Sequence, residues 1–500
     1  MSNSGGSAPS HPLGKLFIGL VLAQILATIQ VYLSNIDLHA TVTAVSTAGY
    51  LTVPNQEVMG SLQNISVALY GGLFFTFTVG TGVTLATMAA AWIWGRMCSF
   101  NKFALLAFAI VWLTAVISVN LHGFCLLPSL YFVLIPPVIF GLTAKNETHG
   151  DKSSGRLRTL VHLLPIPLLA LIWFTQFDRA LFLDLRDNLL LSNFLGRKFS
   201  EFYYTYTLYP AEAFKSLDQK IIKTFKLENI NARSINQELR NRLIVNGYLP
   251  LPEADKVDLR IIAKDDQLAF QSGYHGILQM PLKQFLSDTP KALQKFSQKT
   301  DCYSSFRRYT FLSLLIGFPI LIYLILHAAL YYILLVFLKP ITAAMTASVM
   351  CLIVGSAVLI YFQSYRSANI NFNNISNALE SESWQTRLAA LKAIQREKLE
   401  IADYRSYPQL LQSPIPQERY WLVRALAFSR RSETYADLLA FVDDENINVR
   451  CMAFYSLGLR RNPRAIKVLK ARMRTSNSWY DQMYAYKALR SLGWKQNVSP

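Results

Sequence analysis

The chain has 500 residues with a formal net charge of +18, and 52% of them are hydrophobic while only 16% are charged. Ordinary soluble domains carry about a quarter charged residues, so this composition excludes disordered, collagen-like and disulfide-scaffold chains and a purely soluble enzyme. The deficit is local: residues 16–95 contain no lysine or arginine, and residues 1–177 hold 7 of the 49 basic and 4 of the 31 acidic side chains.

An α-helix rising about 1.5 Å per residue needs about 20 apolar residues to cross a hydrocarbon layer about 30 Å thick. Segments 16–34, 66–95, 103–121, 125–143, 159–177, 309–338 and 341–364 meet that measure. They predict a polytopic helix bundle of seven spans, five in an N-terminal membrane domain, 1–177, and two in 309–365. The first is read as a retained anchor, because its apolar run is longer than the roughly 7 to 15 residues of a signal peptide core. Gly71, Gly72, Gly80 and Gly82 in the second span suit close helix approach. Pro136 with Pro137, Pro165 with Pro167, and Pro319 interrupt later spans, and the carbonyls such prolines free must be satisfied by neighbouring helices.

Two spans separate the polar stretches 178–308 and 366–500, which places both on one face, opposite the N-terminus. Lys15, Arg96, Lys102, Lys145, Lys152, Arg156, Arg158 and Lys339 lie in the short loops on the N-terminal side, while loops 35–65 and 122–124 carry no lysine or arginine. Basic short loops mark the cytoplasm, so the expected location is the bacterial cytoplasmic membrane, with the N-terminus inside and both polar regions extracytoplasmic. His162 and His327 are the histidines well inside apolar segments. They are either axial ligands to a b-type haem or interhelical hydrogen-bonding groups; the second reading is adopted, and no cofactor is expected.

Residues 178–308 hold 20 basic and 15 acidic side chains, enough for a small water-facing α+β domain. Asp178 to Lys226 reads as helical, with Phe202, Tyr203, Tyr204, Tyr206 and Tyr209 crowded together as interfacial or core rings rather than a nucleic-acid platform. From Val257 the apolar period is two, with turns at Lys264-Asp265-Asp266 and Gly273-Tyr274-His275-Gly276, which predicts a small antiparallel meander. Pro281 then opens a helix to about Ser297.

The tail, 366–500, carries an internal repeat. Segments beginning at Arg387, Arg419, Arg450 and Gln482 align at spacings of 32, 31 and 32 residues, each with small or apolar residues at helical spacing, such as Ala390 with Ala393 and Ala453 with Leu457. A fixed period of this size predicts an α-solenoid whose units bury a shared core. The third unit, Asp443-Asp444 followed by Arg450, Ala453, Leu457-Gly458 and Asn462-Pro463, resembles the short HEAT-like repeat of phycobilisome lyase-type proteins. The resemblance covers about residues 376–494. It implies Asp443 or Asp444 at a turn, Gly458 in the link between paired helices, and a curved surface for protein partners; lyase chemistry does not transfer with it.

Cys98, Cys125, Cys302, Cys351 and Cys451 contain no close pair. Cys302 and Cys451, on the water-facing modules, can pair only if those modules touch, and free thiols are expected. No phosphate loop, dinucleotide fingerprint, nucleophile elbow or zinc-ligand motif occurs, so a non-enzymatic role is expected. The leading reading is a scaffold subunit of a membrane protein complex, in contact with the lipid bilayer and with other protein subunits but not with nucleic acid. Arg419, Trp421, Arg424, Arg430, Arg431 and Tyr480 are the candidate partner contacts, as large and charged side chains on a solenoid face. The alternatives are a transporter or channel with a path along the proline-broken helices, and a haem-binding redox subunit through His162 and His327.

Overall fold

The computed structural model describes residues 12–149, 161–162, 164–230, 232–264, 267–272, 275–366, 370 and 372–496. Asp265, Asp266, Gly273 and Tyr274 of the expected turns, and Lys152, Arg156 and Arg158 of the expected basic loop, lie outside the described residues. The described chain is mostly helical, with one small sheet.

Six helices are long and apolar enough to cross a membrane: Leu13–Thr47, Ile65–Arg96, Lys102–Val119, Leu126–Lys145, Ser304–Leu334 and Pro340–Ser364. The expected fifth span differs, because its regular part is a helix of only 10 residues, Pro165–Phe174. Proline favours the first helical turn and resists the residues before it, so Pro165 and Pro167 set a late start. The first two long helices pack closely. A side chain begun at Gly72 would meet the backbone of Thr28 at 3.1 Å, and one at Gly80 would meet the Ala23 Cβ at 2.4 Å. Between them Gln24 donates to the Leu69 carbonyl at 2.9 Å and accepts from Thr76 Oγ1 at 2.7 Å.

The proline interruptions are satisfied by indoles. Pro136 and Pro319 cannot donate to the carbonyls four residues earlier, Phe132 and Leu315. Trp112 Nε1 donates to the Phe132 carbonyl at 2.6 Å and Trp173 Nε1 to the Leu315 carbonyl at 2.8 Å, each from a neighbouring helix. A wide π turn, Ser313–Gly317, precedes Pro319 and carries the helix past it without a break.

Two large cores and a small third cluster hold the described chain, the third joining Val45 and Tyr50 to Leu249, Leu251 and Val257. One large core, built around Phe225, Leu239, Ile261, Phe270, Phe285 and Phe296, belongs to an α/β module. Its sheet runs β2-β1-β3-β4-β5, with β1 Lys223–Glu228, β2 Tyr248–Pro250, β3 Leu259–Lys264, β4 Gln267–Ser272 and β5 His275–Pro281. Strands β3, β4 and β5 form the expected antiparallel meander, in register at Ile261↔Phe270 and Phe270↔Leu278. Strands β1 and β2 are additions: β1 pairs in parallel with β2 and β3, so the helical reading up to Lys226 is corrected. Its lysines and glutamate are poor strand formers, and pairing on both edges overrides that preference. The expected helix to Ser297 is two helices, Leu282–Ser287 and Thr289–Thr300, because Asp288 caps the second by accepting from Lys291 N.

The other core is continuous from the apolar bundle, through Leu208, Tyr209, Ala213 and Phe306, into the solenoid. The aromatic run is its seam: Tyr206 and Phe202 pack on Tyr70, Tyr204 on Tyr480, and Tyr209 on Trp479. The α/β module therefore begins near Leu217 rather than at 178. The residues before it belong to the joint between bundle and solenoid.

Trp112→Phe and Trp173→Phe keep the rings and remove the donors, leaving a buried carbonyl unpaired. Each is expected to lower unfolding free energy by about 1–3 kcal/mol. Trp94→Phe, whose indole reaches the exposed Asn101 carbonyl, is expected to stay within about 0.5 kcal/mol of the parent, as surface changes do. Thermal melts of the detergent-solubilised chain measure all three; equal loss in all three rules out the proline–indole pairing.

Candidate interaction surface

The solenoid is held together by a ladder of arginines. Its first helices, Trp384–Glu397, Pro416–Leu426, Ile447–Arg460 and Trp479–Ser491, stack through buried Ala390, Ala425, Ala453 and Ala485. Arg387, Arg419 and Arg450 each donate through Nη1 to the carbonyl six residues earlier, at Ser381, Ser413 and Asp444. Their Nε atoms donate to a carboxylate of the next unit, at Glu418, Asp444 and Asp481, over 2.9, 2.7 and 3.0 Å. A buried guanidinium bound to both carboxylate and carbonyl fixes the register between units.

Gln482 ends the ladder. It donates to the Ser476 carbonyl, again six residues earlier, and with no further unit to supply a carboxylate its Oε1 accepts from Asn55 N at 2.8 Å. Asn55 in turn donates through Nδ2 to the carbonyls of Met473, Arg474 and Ser476. The loop after the first long helix thus caps the last repeat, and Gln496 adds a two-way contact with the Leu51 backbone. Gly458 does not lie in a link. It sits within helix Ile447–Arg460, where a Cβ would meet Ala488 Cα at 3.0 Å, and the turn follows at Arg461 in the left-handed conformation.

Residues 366–500 and 178–214 meet at Asp187. Its side chain is fully buried and accepts from Arg186 at 2.6 Å and from Trp421 Nε1 at 2.8 Å, with Lys392 Nζ at 3.6 Å. Gln417 donates to its carbonyl, and Lys392 also pairs with Asp184 at 2.8 Å. Burial opposes the Arg186 charge, but Asp187 and the Tyr420 ring beneath it, 3.7 Å away, more than offset that and hold the guanidinium above its ordinary pKa. Tyr204 and Asn448, and Thr207 and Tyr480 at 2.8 Å, extend the joint.

Three of the six partner candidates therefore face inward. Arg419 is a rung of the ladder, Trp421 is buried against Asp187, and Tyr480 packs on Tyr204 and Thr207. Their size and charge serve the fold. Arg424 is half-buried, its guanidinium 4.5 Å from the Trp421 ring, whereas Arg430 and Arg431 are exposed, Arg431 pairing with Asp403. The face open to solvent continues in residues that the repeat alignment passes over. Arg461, Arg464, Lys467 and Arg474 are exposed, and among the described residues none of them makes an ion pair. Arg461 and Arg464 sit in the turn between paired helices, and Lys467 and Arg474 on the helix Ala465–Thr475 that follows, a run of basic residues present in the sequence. Asp184, Arg186 and Asp187 were visible too, as charges inside the apolar run 181–191.

His162 and His327 do come together, but not around a haem. Their rings touch edge to face with centroids 4.4 Å apart, so no porphyrin plane fits between them. His162 Nδ1 is 3.0 Å from the Tyr323 hydroxyl and His327 Nε2 is 3.3 Å from the Ala344 carbonyl, the interhelical role. Cys302 does not approach Cys451, which is buried in the solenoid core. The Cys302 thiol lies instead beside that of Cys125. That proximity holds Cys302 below its ordinary pKa and, with burial, pushes Cys125 up.

Residues 407–490 match the family model of HEAT repeats. The arginine ladder extends the same arrangement back to Arg387, ahead of the matched stretch. Neither the curated proteins nor the solved structures contain a match to the chain. HEAT repeats commonly bind other proteins along their helical surface, which suggests an interaction or scaffold role.

Asp187→Ala strands Arg186 in the joint and is expected to destabilise the chain by about 3–5 kcal/mol, as for other broken buried pairs. Limited proteolysis should then release the HEAT repeats early; an unchanged cleavage pattern would remove Asp187 from its central position. Mild copper-phenanthroline oxidation should link Cys125 to Cys302 and leave Cys451 reduced, with Cys302 alkylating first as the more acidic thiol. Peptide mass spectrometry reads the linkage, and a Cys302–Cys451 peptide would contradict the packing.

Proposed function

We propose that the chain is a non-enzymatic, multi-pass subunit of the bacterial cytoplasmic membrane that holds protein partners on its HEAT repeats. Six long apolar helices support the membrane part, and their outward residues, among them Phe103, Val111 and Ile333, are large and exposed, as lipid-facing side chains are.

The count of crossings supports the same picture. The loop 48–64 touches both water-facing regions, through Ser61 with Tyr209 at 2.7 Å and through Asn55 with Gln482. Three long helices separate that loop from residue 178, an odd number that would put the partners of these bonds on opposite sides. Helix Pro165–Phe174, extended by its apolar flanks, supplies the fourth crossing in this reading. In this reading the basic short loops favour an N-terminus in the cytoplasm and HEAT repeats outside it.

The observation that carries the scaffold reading is the basic face of the HEAT repeats, Arg461, Arg464, Lys467 and Arg474, exposed and without an ion pair among the described residues. Such a face fits an acidic protein surface, where complementary charge steers association and selects the partner. The carbonyls freed at Pro136 and Pro319 are occupied by indoles, which favours a scaffold over a path along broken helices.

Reversing three of these charges, Arg461→Glu, Arg464→Glu and Lys467→Glu, is expected to release a partner that co-purifies from native membranes while the melting temperature is kept. Retention of every partner would reject the face. A membrane-impermeant thiol reagent should label Arg461→Cys but not Lys145→Cys in intact cells, in a chain otherwise lacking cysteine; the opposite result would reverse the topology.

A further inference from the structure

We propose that the cleft where the α/β module, the helix beginning at Ser304 and the last HEAT repeat converge is a binding site for a phosphate-bearing ligand. It encloses about 740 Å³, within the roughly 300–1,000 Å³ of small-molecule sites. Six cationic side chains line it, Lys215, Lys220, Lys223, Arg307, Lys487 and Arg490, against one acid, Asp218.

Half of that charge is neutralised locally. Lys215 pairs with Glu212, Lys220 with Asp258 at 2.7 Å, and Arg307 with Asp301. The other three come from two modules and have no carboxylate in ion-pair contact among the described residues. Two backbone carbonyls, at Val245 and Trp494, hold the Arg490 guanidinium without cancelling its charge. Lys223 and Lys487 lie against the Tyr248 and Tyr484 rings, at 5.2 and 5.7 Å. Burial lowers the pKa of both; Asp218 and Asp258 offset part of that for Lys223 while Arg490 adds to it, and Lys215 lowers Lys487 further.

An arginine fork with two lysine point charges suits a dianionic phosphate, which accepts from all three. Folding gathers these cations in one cleft and leaves them short of countercharge, a deficit that a phosphate would fill. The ligand has two possible sources. Phe214 on the cleft wall packs on Phe74 and Phe75 of an apolar helix, so a phospholipid headgroup is within reach, and the opening to solvent admits a soluble phosphate.

The test uses the full chain in phosphatidylcholine nanodiscs, probed with inorganic phosphate and, separately, with added phosphatidic acid. Binding of either probe, weakened about tenfold or more by Lys223→Gln with Lys487→Gln and kept by Lys487→Arg, supports the site. Phosphatidic acid alone marks a headgroup source, and inorganic phosphate alone a soluble one. In the unaltered chain the bound probe should also slow acetylation of Lys223 and Lys487, a readout that does not depend on the variants folding. Failure of both probes to bind or to protect, or binding unchanged in a folded double variant, overturns the proposal.

Discussion

The architecture turns on one buried carboxylate. Asp187 has no access to solvent and is bound by a guanidinium, an indole and a more distant ammonium drawn from both sides of the joint. A lone carboxylate in such a place would be strongly disfavoured, and so would Arg186 without it. Each therefore requires the other. The solenoid cannot leave the joint without exposing Trp421 and stranding charges, so the HEAT repeats are a fixed part of the molecule rather than a tethered arm.

A common core follows from this arrangement. Tyr204, Tyr209 and Phe214 reach to the solenoid or to the apolar helices, and their rings supply large contact area with few rotatable bonds to immobilise. The α/β module keeps a main core of its own, and meets the rest through a small buried cluster of Leu249, Leu251 and Val257 with Val45 and Tyr50, and through Arg490 with the Val245 carbonyl and Lys256 with Asp37. The cationic cleft lies along its boundary.

The features legible in the sequence are those in which one residue type repeats at a fixed interval. The Arg387, Arg419 and Arg450 period announces the solenoid, and the alternation from Val257 announces the meander. Proline positions announce freed carbonyls, although not that Trp112 and Trp173 would take them, since such pairing joins residues far apart in the chain. Strand β1 was hidden because its partners, at Tyr248 and Leu259, are supplied by tertiary contact. Trp421 and Arg419 looked like surface hot spots because bulk and charge identify anchoring residues equally well when the anchor is internal. The free basic face was legible only as a run of basic residues, and it falls between the aligned blocks, where periodicity gives no guidance.

Gln482 bears on how such a scaffold works. Solenoids are held by nearest-neighbour contacts, so an end repeat with no neighbour is the place where they fray. Here the end is closed by Asn55, from the loop that follows the first long helix, and the glutamine suits the cap because arginine has no acceptor for the Asn55 amide. The chain's first loop thus secures its last repeat. With that end capped and the inner surface docked at Asp187, the exposed helices are presented in one orientation before any partner arrives. A partner binding a surface already ordered loses less conformational entropy than one binding a flexible array, and the same rigidity fixes its distance from the apolar bundle. That combination, a pre-formed basic face at a set height over the bundle, is what separates a scaffold from a mobile adaptor.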